Sequence, residues 1–267
     1  MAGFDVVIPA GGRIDEAFAK VVGVESKALI RLNEKTILRH TIEALRASGQ
    51  VGRIVVVGSA EIVRHEDAQL ADAILPETGT SPANIWLGAQ HLQTLDFPPD
   101  RILIVTCDQP YLTGDSIKRF LDLCDHAIDF NVSLVARDDF EEAFPGASAT
   151  FVKLLDGEWT TGGVFLMTIR SLKIAMDHME KVFEARKSKL RMAKLLGLKF
   201  VWDYLNKKLT VSSVEQKVME LLRVRGRAVP GSPPEMAYDI DFIEDYQYVL
   251  SSLKARQVGI EMDKPKS

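Results

Sequence analysis

The chain has 267 residues, of which 46% are hydrophobic and 26% charged, the balance of a globular protein with a core of its own. Its net charge of −4 argues against binding nucleic acid through an overall field, and no apolar run approaches the roughly 18 residues of a membrane-spanning helix. Two cysteines without CxxC spacing, Cys107 and Cys124, and a start unlike a secretion signal imply a reducing, cytoplasmic setting.

The first half alternates strand and helix signals. Phe4–Pro9 is a continuous apolar run of strand length, ended by Pro9 and the turn Ala10-Gly11-Gly12-Arg13. Ile37, Leu38, Ile42 and Leu45 then recur at helical spacing over Lys35–Ser48, with Gly49 as a stop. Arg53–Val57 reads as a second buried strand and Ala73–Leu75 as a short third. Ser81-Pro82 predicts an N-cap followed by Pro at the first helical position, opening a helix to Gln93. Arg101–Thr106, Asp115–Cys124 and Val132–Ala136 continue as strand, helix and strand. Strands apolar on both faces, alternating with helices, predict a Rossmann-like three-layer α/β/α fold with a mainly parallel sheet.

Beyond Asp139 the rhythm changes. Thr150–Leu155 and Val164–Thr168 read as strands around the turn Asp156-Gly157-Glu158 and the pair Gly162-Gly163. A mostly helical insertion covers about 171–228, and within it 181–208 carries nine Lys or Arg against Glu184 and Asp203. A loop rich in Pro and Gly, Pro230–Pro234, leads to Asp239-Ile240-Asp241 and a last helix over Ile243–Lys254. Residues 1–255 are expected to form one domain and 256–267 a disordered tail.

Ligands of such sheets bind at the carboxyl ends of the strands. The glycine turn follows the first strand and Asp108 follows Arg101–Thr106, so both open onto one edge. A Gly-Gly turn there is either an ordinary connection or a phosphate cradle, because without Cβ atoms backbone N–H groups can converge on phosphate oxygens. It is neither GxxxxGK[ST] nor GxGxxG. Lys27 is either a solvated surface lysine or a mobile charge for phosphate. Asp108 either caps its turn or binds a metal. For Asp241 the alternatives are N-capping of the last helix and metal binding, with Asp239 a possible further ligand and Asp245 on the surface. The five histidines show no HxxxH or HExxH spacing, which argues against zinc, and Cys107 reads as packing.

Four stretches, in order, resemble the molybdenum-cofactor guanylyltransferase-like (MobA-like) branch of the NTP transferases, whose fold is glycosyltransferase-A-like. They are Val6–Arg13 with Lys27 and the helix to Leu45, Leu103–Leu112 (LIVTCDQPYL), Thr161–Leu166 (TGGVFL) and Tyr238–Tyr246 (YDIDFIEDY). Glu77–Leu87 is a weaker match to a base-recognition loop and helix. The chain departs from the family pattern in having Ser26, not Pro, before the lysine, and Arg13 directly after Gly12.

The resemblance implies Mg²⁺-dependent transfer of an NMP from an NTP to a small phosphorylated or hydroxylated acceptor, with release of pyrophosphate. It implies catalytic roles for Arg13, Lys27 and Asp108, nucleotide contacts from Pro9, Ala10, Gly11, Gly12, Arg13, Lys27, Ser81, Asn84 and Asp108, and acceptor contacts from Gly162 and Gly163. Asp108 and Asp241 would hold the metal. Such a reaction needs positioning and charge compensation more than covalent chemistry, which suits these residue types. A glycosyltransferase of the same fold and a non-catalytic nucleotide-binding protein are the alternatives; the only DxD, Asp239-Ile240-Asp241, lies at the wrong end for the former. The basic stretch 189–208 reads as scaffold, as a lid over an anionic acceptor, or as a contact with an anionic membrane.

Overall fold

In the computed structural model of the chain, residues 3–185 and 188–258 are described. β1 (Phe4–Pro9) leads through α1 (Glu16–Val22) and a small hairpin, β2 (Arg31–Leu32) and β3 (Lys35–Thr36), into α2 (Ile37–Ala47). β4 (Val51–Gly58), α3 (Ala60–Arg64), β5 (Ala73–Pro76), α4 (Ser81–Gln93), β6 (Arg101–Val105), α5 (Gly114–Leu123), β7 (Phe130–Ala136) and α6 (Arg137–Ala143) follow. Next come β8 (Val152–Leu154) and β9 (Gly157–Thr168), then α7 (Ile169–Ala185), α8 (Lys189–Leu196), α9 (Leu198–Leu205) and α10 (Val211–Leu222). β10 (Gly226–Pro230) and α11 (Ile243–Val258) complete the order.

Eight strands form one sheet in the order β10-β7-β9-β6-β1-β4-β5, with β8 paired to the first residues of β9. β6, β1, β4 and β5 run parallel, as do β7 and β10, while β9 is antiparallel to each neighbour. The mainly parallel α/β/α prediction therefore describes the molecule.

Alternation along the strands divides the core into two layers. Val6, Ile8, Ile54, Val56, Leu103 and Val105 enter one layer with Phe18, Leu38, Ile42 and Phe120. Val7, Val55, Val57, Ile102 and Ile104 enter the other with Ile85, Ala89 and Leu92 of α4. Burying one such side chain is worth about 1.5–3 kcal/mol, so the sheet is a rigid floor for the loops at its edge. Helix α4 lies close because Gly88 faces β1: a Cβ there would come within 2.6 Å of Val7 Cγ1.

Four features differ from the sequence expectations. The helical stretch predicted as an insertion supplies part of the second layer, since Leu172, Ala175, Leu222 and Val224 belong to its core; α9, in contrast, buries no residue. Gly226–Pro230 is an unanticipated edge strand paired with β7. Gly162 and Gly163 sit inside β9 rather than in a turn, where the register against β7 shifts between Val132 and Leu134. The last helix runs on to Val258, and the rest of the expected tail, 259–267, lies outside the described residues, as do Arg186 and Lys187 of the basic stretch. Among the described residues, no helix is long and apolar enough to cross a membrane.

Candidate active site

Strands β5, β4, β1 and β6 end side by side, and the segments that follow β1, β5 and β6, with Asp239 and Asp241, wall a cleft of about 690 Å³. At the end of β1, the Ala10 N–H donates to Val57 O at 2.7 Å and fixes the loop to β4. Gly11, Gly12 and Arg13 come next and line the cleft. Among the described residues, their N–H groups have no acceptor. Gly11 packs closely under the opposite wall: a Cβ would lie 2.4 Å from Glu77 Oε2 and 3.2 Å from Asn84 Nδ2, so a side chain there would displace the Glu77 carboxylate. The chain then returns, with Lys27 N–H donating to Gly12 O (3.0 Å), Ile14 N–H to Glu25 O (3.1 Å), and Arg13 opposite Ser26. That return brings the Lys27 side chain against Gly12, where a Cβ would stand 3.4 Å from Lys27 Cδ.

Lys27 Nζ lies between two carboxylates. It forms a hydrogen-bonded ion pair with Asp241 and sits 3.6 Å from Asp108 Oδ2. Desolvation in the cleft pulls the lysine pKa down, but Asp108, Asp241 and Asp239 outweigh it, and the ammonium ends above its ordinary value. Asp108 follows β6, and its carbonyl accepts the Ile240 N–H at 3.0 Å, which docks the Asp239–Asp241 segment onto that strand end. Asp239 keeps contact with the solvent of the cleft. Its carboxyl is nonetheless pushed well above the usual range, by desolvation and then by the neighbouring Asp108 and Asp241 charges.

Asp245 is not an idle surface residue. Its Oδ2 accepts the N–H groups of Asp241 (3.0 Å) and Phe242 (2.8 Å), reaching back across the start of α11. The helix entrance is thereby satisfied by Asp245, and the Asp241 carboxylate turns to Lys27.

The donor set fits a hard divalent cation. Asp108 Oδ1 is buried with no partner, and Asp108 and Asp241 present oxygens on either side of a positive charge. Among the described residues, no three His, Cys, Asp or Glu side chains gather as a metal cage. Mg²⁺ does not need one, because it is commonly held by one or two carboxylates with water and substrate oxygens.

On the opposite wall, Arg13 Nη2 donates to Glu77 Oε1 at 2.9 Å. The sequence places Glu77 at the start of the base-recognition match, but its pairing with Arg13, 64 positions away, carries no sequence signal. The N-cap of α4 is Thr80, whose hydroxyl accepts the Ala83 N–H, and not Ser81 as predicted. One residue of offset puts Pro82 in the second helical position and leaves the Ser81 side chain in the cleft wall beside Asn84. Asn84 is buried, and its Oδ1 accepts the Thr78 N–H at 3.0 Å, which shapes the loop after β5.

Gly162 and Gly163 stand behind the cleft rather than in its lining. A Cβ on Gly163 would fall 2.0 Å from Thr106 Oγ1, and one on Gly162 2.5 Å from Ser133 Oγ. The sequence treats a glycine pair as a turn, yet here it lets β9 press against its neighbours. Cys107 is buried beside Thr41, and burial pushes its thiol far up, as packing requires.

Comparison with known proteins bears on this cleft. A family model described as the MobA-like NTP transferase domain matches residues 6–162. Over 121 residues the chain is 31% identical to the molybdenum cofactor guanylyltransferase of Shewanella sp. (strain MR-4), 44% of this chain and 54% of that protein. It is 24% identical over 121 residues to the 2-C-methyl-D-erythritol 4-phosphate cytidylyltransferase of Vibrio parahaemolyticus, 44% and 50% of the two chains. The chain thus spans about half the length of the curated relatives it matches. Among solved structures, a hypothetical transferase from Thermus thermophilus superposes with a TM-score of 0.79 at 28% identity, over 92% of this chain and 99% of that one.

Proposed function

The chain belongs to the MobA-like NTP transferase family, and on that premise we propose that it transfers an NMP from an NTP to a small phosphorylated or hydroxylated acceptor, releasing pyrophosphate. The convergence of Gly11–Arg13, Lys27, Asp108 and Asp241 on one cleft carries this reading. The relatives named for guanylyl and cytidylyl transfer support it.

In the reaction an acceptor oxygen attacks the α-phosphorus in line, the bond to the bridging oxygen breaks, and pyrophosphate leaves with the electron pair. The free N–H groups after Pro9 and Ala10 hold phosphate oxygens in a turn that side chains would block. Lys27 shifts from its two aspartates to the phosphates, and Arg13 turns from Glu77 to the leaving group, so both compensate charge as it develops. Asp108 and Asp241 would hold Mg²⁺, which, when bound, neutralises phosphate charge. Ser81 and Asn84 meet the base. Gly162 and Gly163 serve the acceptor side by letting β9 close behind Thr106 and Gln109. An NTP substrate and the free thiols of Cys107 and Cys124 suit a cytoplasmic setting.

The test is pyrophosphate release with each NTP, Mg²⁺ and a metabolite extract. Asp108→Asn should reduce the rate by about 10²-fold or more, the usual effect of losing a preorganised charge-stabilising group. If no acceptor pool supports release that this substitution removes, the reading fails.

A further inference from the structure

A second chamber, of about 510 Å³, adjoins the nucleotide cleft, and Asp239 and Asp241 line both spaces. Its volume is within the roughly 300–1,000 Å³ of small-molecule sites. Val132 and Leu134 of β7, Leu154 of β8, Trp159 of β9, and Val214 and Val218 of α10 supply its walls. Of the five charged groups along it, four have partners; Asp241 pairs with Lys27, and Asp245 accepts the N–H groups of Asp241 and Phe242. Glu215 accepts the Ala228 N–H at 2.7 Å, and Arg227, the sole Lys or Arg among the lining residues, stands 3.6 Å from Asp125 Oδ2. What remains is mainly apolar, relieved by the hydroxyls of Ser148, Thr150, Thr160 and Thr161 and by the Trp159 indole N–H, which is buried without a partner. Such a lining, mainly apolar with one guanidinium at its exposed edge, suits an uncharged body better than an anionic one.

We propose that this chamber binds the acceptor, and that the acceptor is an alcohol with a mainly apolar body, aliphatic or terpenoid in type, whose hydroxyl lies at the Asp239–Asp241 seam. The reactive end rests on the NMP-transfer reading, while the binding of the apolar body does not. The hydroxyl oxygen bonds to the α-phosphorus as the bond to pyrophosphate breaks, its proton passes to solvent, and the product is an NMP ester of the alcohol.

The neutral fluorophore N-phenyl-1-naphthylamine probes the chamber directly. We expect saturable fluorescence enhancement at one site per chain, displaced by geraniol or decanol but not by glycerol 3-phosphate. Val214→Arg should weaken probe binding at least tenfold while the NTP-induced rise in Tm persists. Val152→Arg, at a chamber-lining position that is 41% exposed and so tolerant of charge, should weaken it in the same direction. With Mg²⁺ and NTP, geraniol or decanol should support pyrophosphate release and glycerol 3-phosphate should not. Probe binding that neither variant weakens, displacement by the sugar-like phosphate, or release with that phosphate alone overturns the proposal. Loss of NTP binding with intact probe binding would instead fault the NMP-transfer reading and leave the chamber standing.

Discussion

Replacing Lys27 with Met removes the one ammonium that separates Asp108 from Asp241 and leaves Asp239 beside them. At 3.6 Å and an effective dielectric constant near 20, one such pair is worth about 5 kcal/mol before desolvation. The cleft is open, with the Asp241 side chain 53% exposed, so the net loss should be about 2 kcal/mol at neutral pH. For a chain of this size that is a fall in Tm of roughly 4–8 °C, read by thermal denaturation without divalent metal. The pH dependence gives the sharper signature. The raised Lys27 pKa means that the wild-type contribution is intact at neutral pH and lost only as pH rises through that raised value. The Asp239 carboxyl is raised by desolvation and by its neighbours, and higher still without Lys27. A raised carboxyl makes the native state bind more protons than the unfolded one, so its stabilising effect is lost as pH rises. The variant should therefore gain on wild type as pH falls from 8 to 5. A variant as stable as wild type at pH 8, or a gap that does not narrow in acid, refutes this account of the cleft.

Three further outcomes are expected. Asp245→Ala removes the acceptor of two exposed backbone N–H groups at the entrance of α11, which should cost about 0.5–2 kcal/mol and lower kcat for pyrophosphate release; Asp245→Asn, which keeps one acceptor oxygen, should retain more of both, and equal losses would show that Asp245 does not position Asp241. Gly163→Ala sets a Cβ within 2.0 Å of Thr106 Oγ1 and 2.6 Å of Gln109 Nε2, so urea denaturation should show a loss of about 1–3 kcal/mol; wild-type stability would mean that β9 can move away. Cys107, buried with its thiol pKa pushed far up, should resist iodoacetamide at pH 8 in the native protein and react only on unfolding, as mass spectrometry of the labelled peptide would reveal.

The parallel strands are legible in sequence because both their faces are buried. Val6, Val7 and Ile8 enter opposite cores, and the run is therefore apolar without interruption. β10 is not legible: Arg227 is exposed, Gly and Pro bracket the segment, and its strand character comes from pairing with β7 alone. Asp108 and Asp241 are identifiable by motif, but which would cap a helix and which would face Lys27 depends on Asp245, whose role exists only once the backbone turns into α11. The Arg13–Glu77 pair and the apolar chamber lack any local signal, because their partners are brought together by sheet order rather than by spacing. Thr80 and Ser81 are both good capping residues, and geometry alone chooses between them.

The Ile240 N–H to Asp108 O bond, and the Lys27–Asp241 pair across 214 positions of sequence, have a consequence for how the protein comes into being. During synthesis the glycine turn, Lys27 and Asp108 emerge long before Asp241. The entropy of closing so long a loop makes this among the later contacts to form. A nascent or half-folded chain would therefore present Lys27 to Asp108 alone, without the completed pair of carboxylates. On the NMP-transfer reading, competence for chemistry arrives with this long-range closure, so turnover measured during refolding should time the end of folding rather than the formation of the sheet.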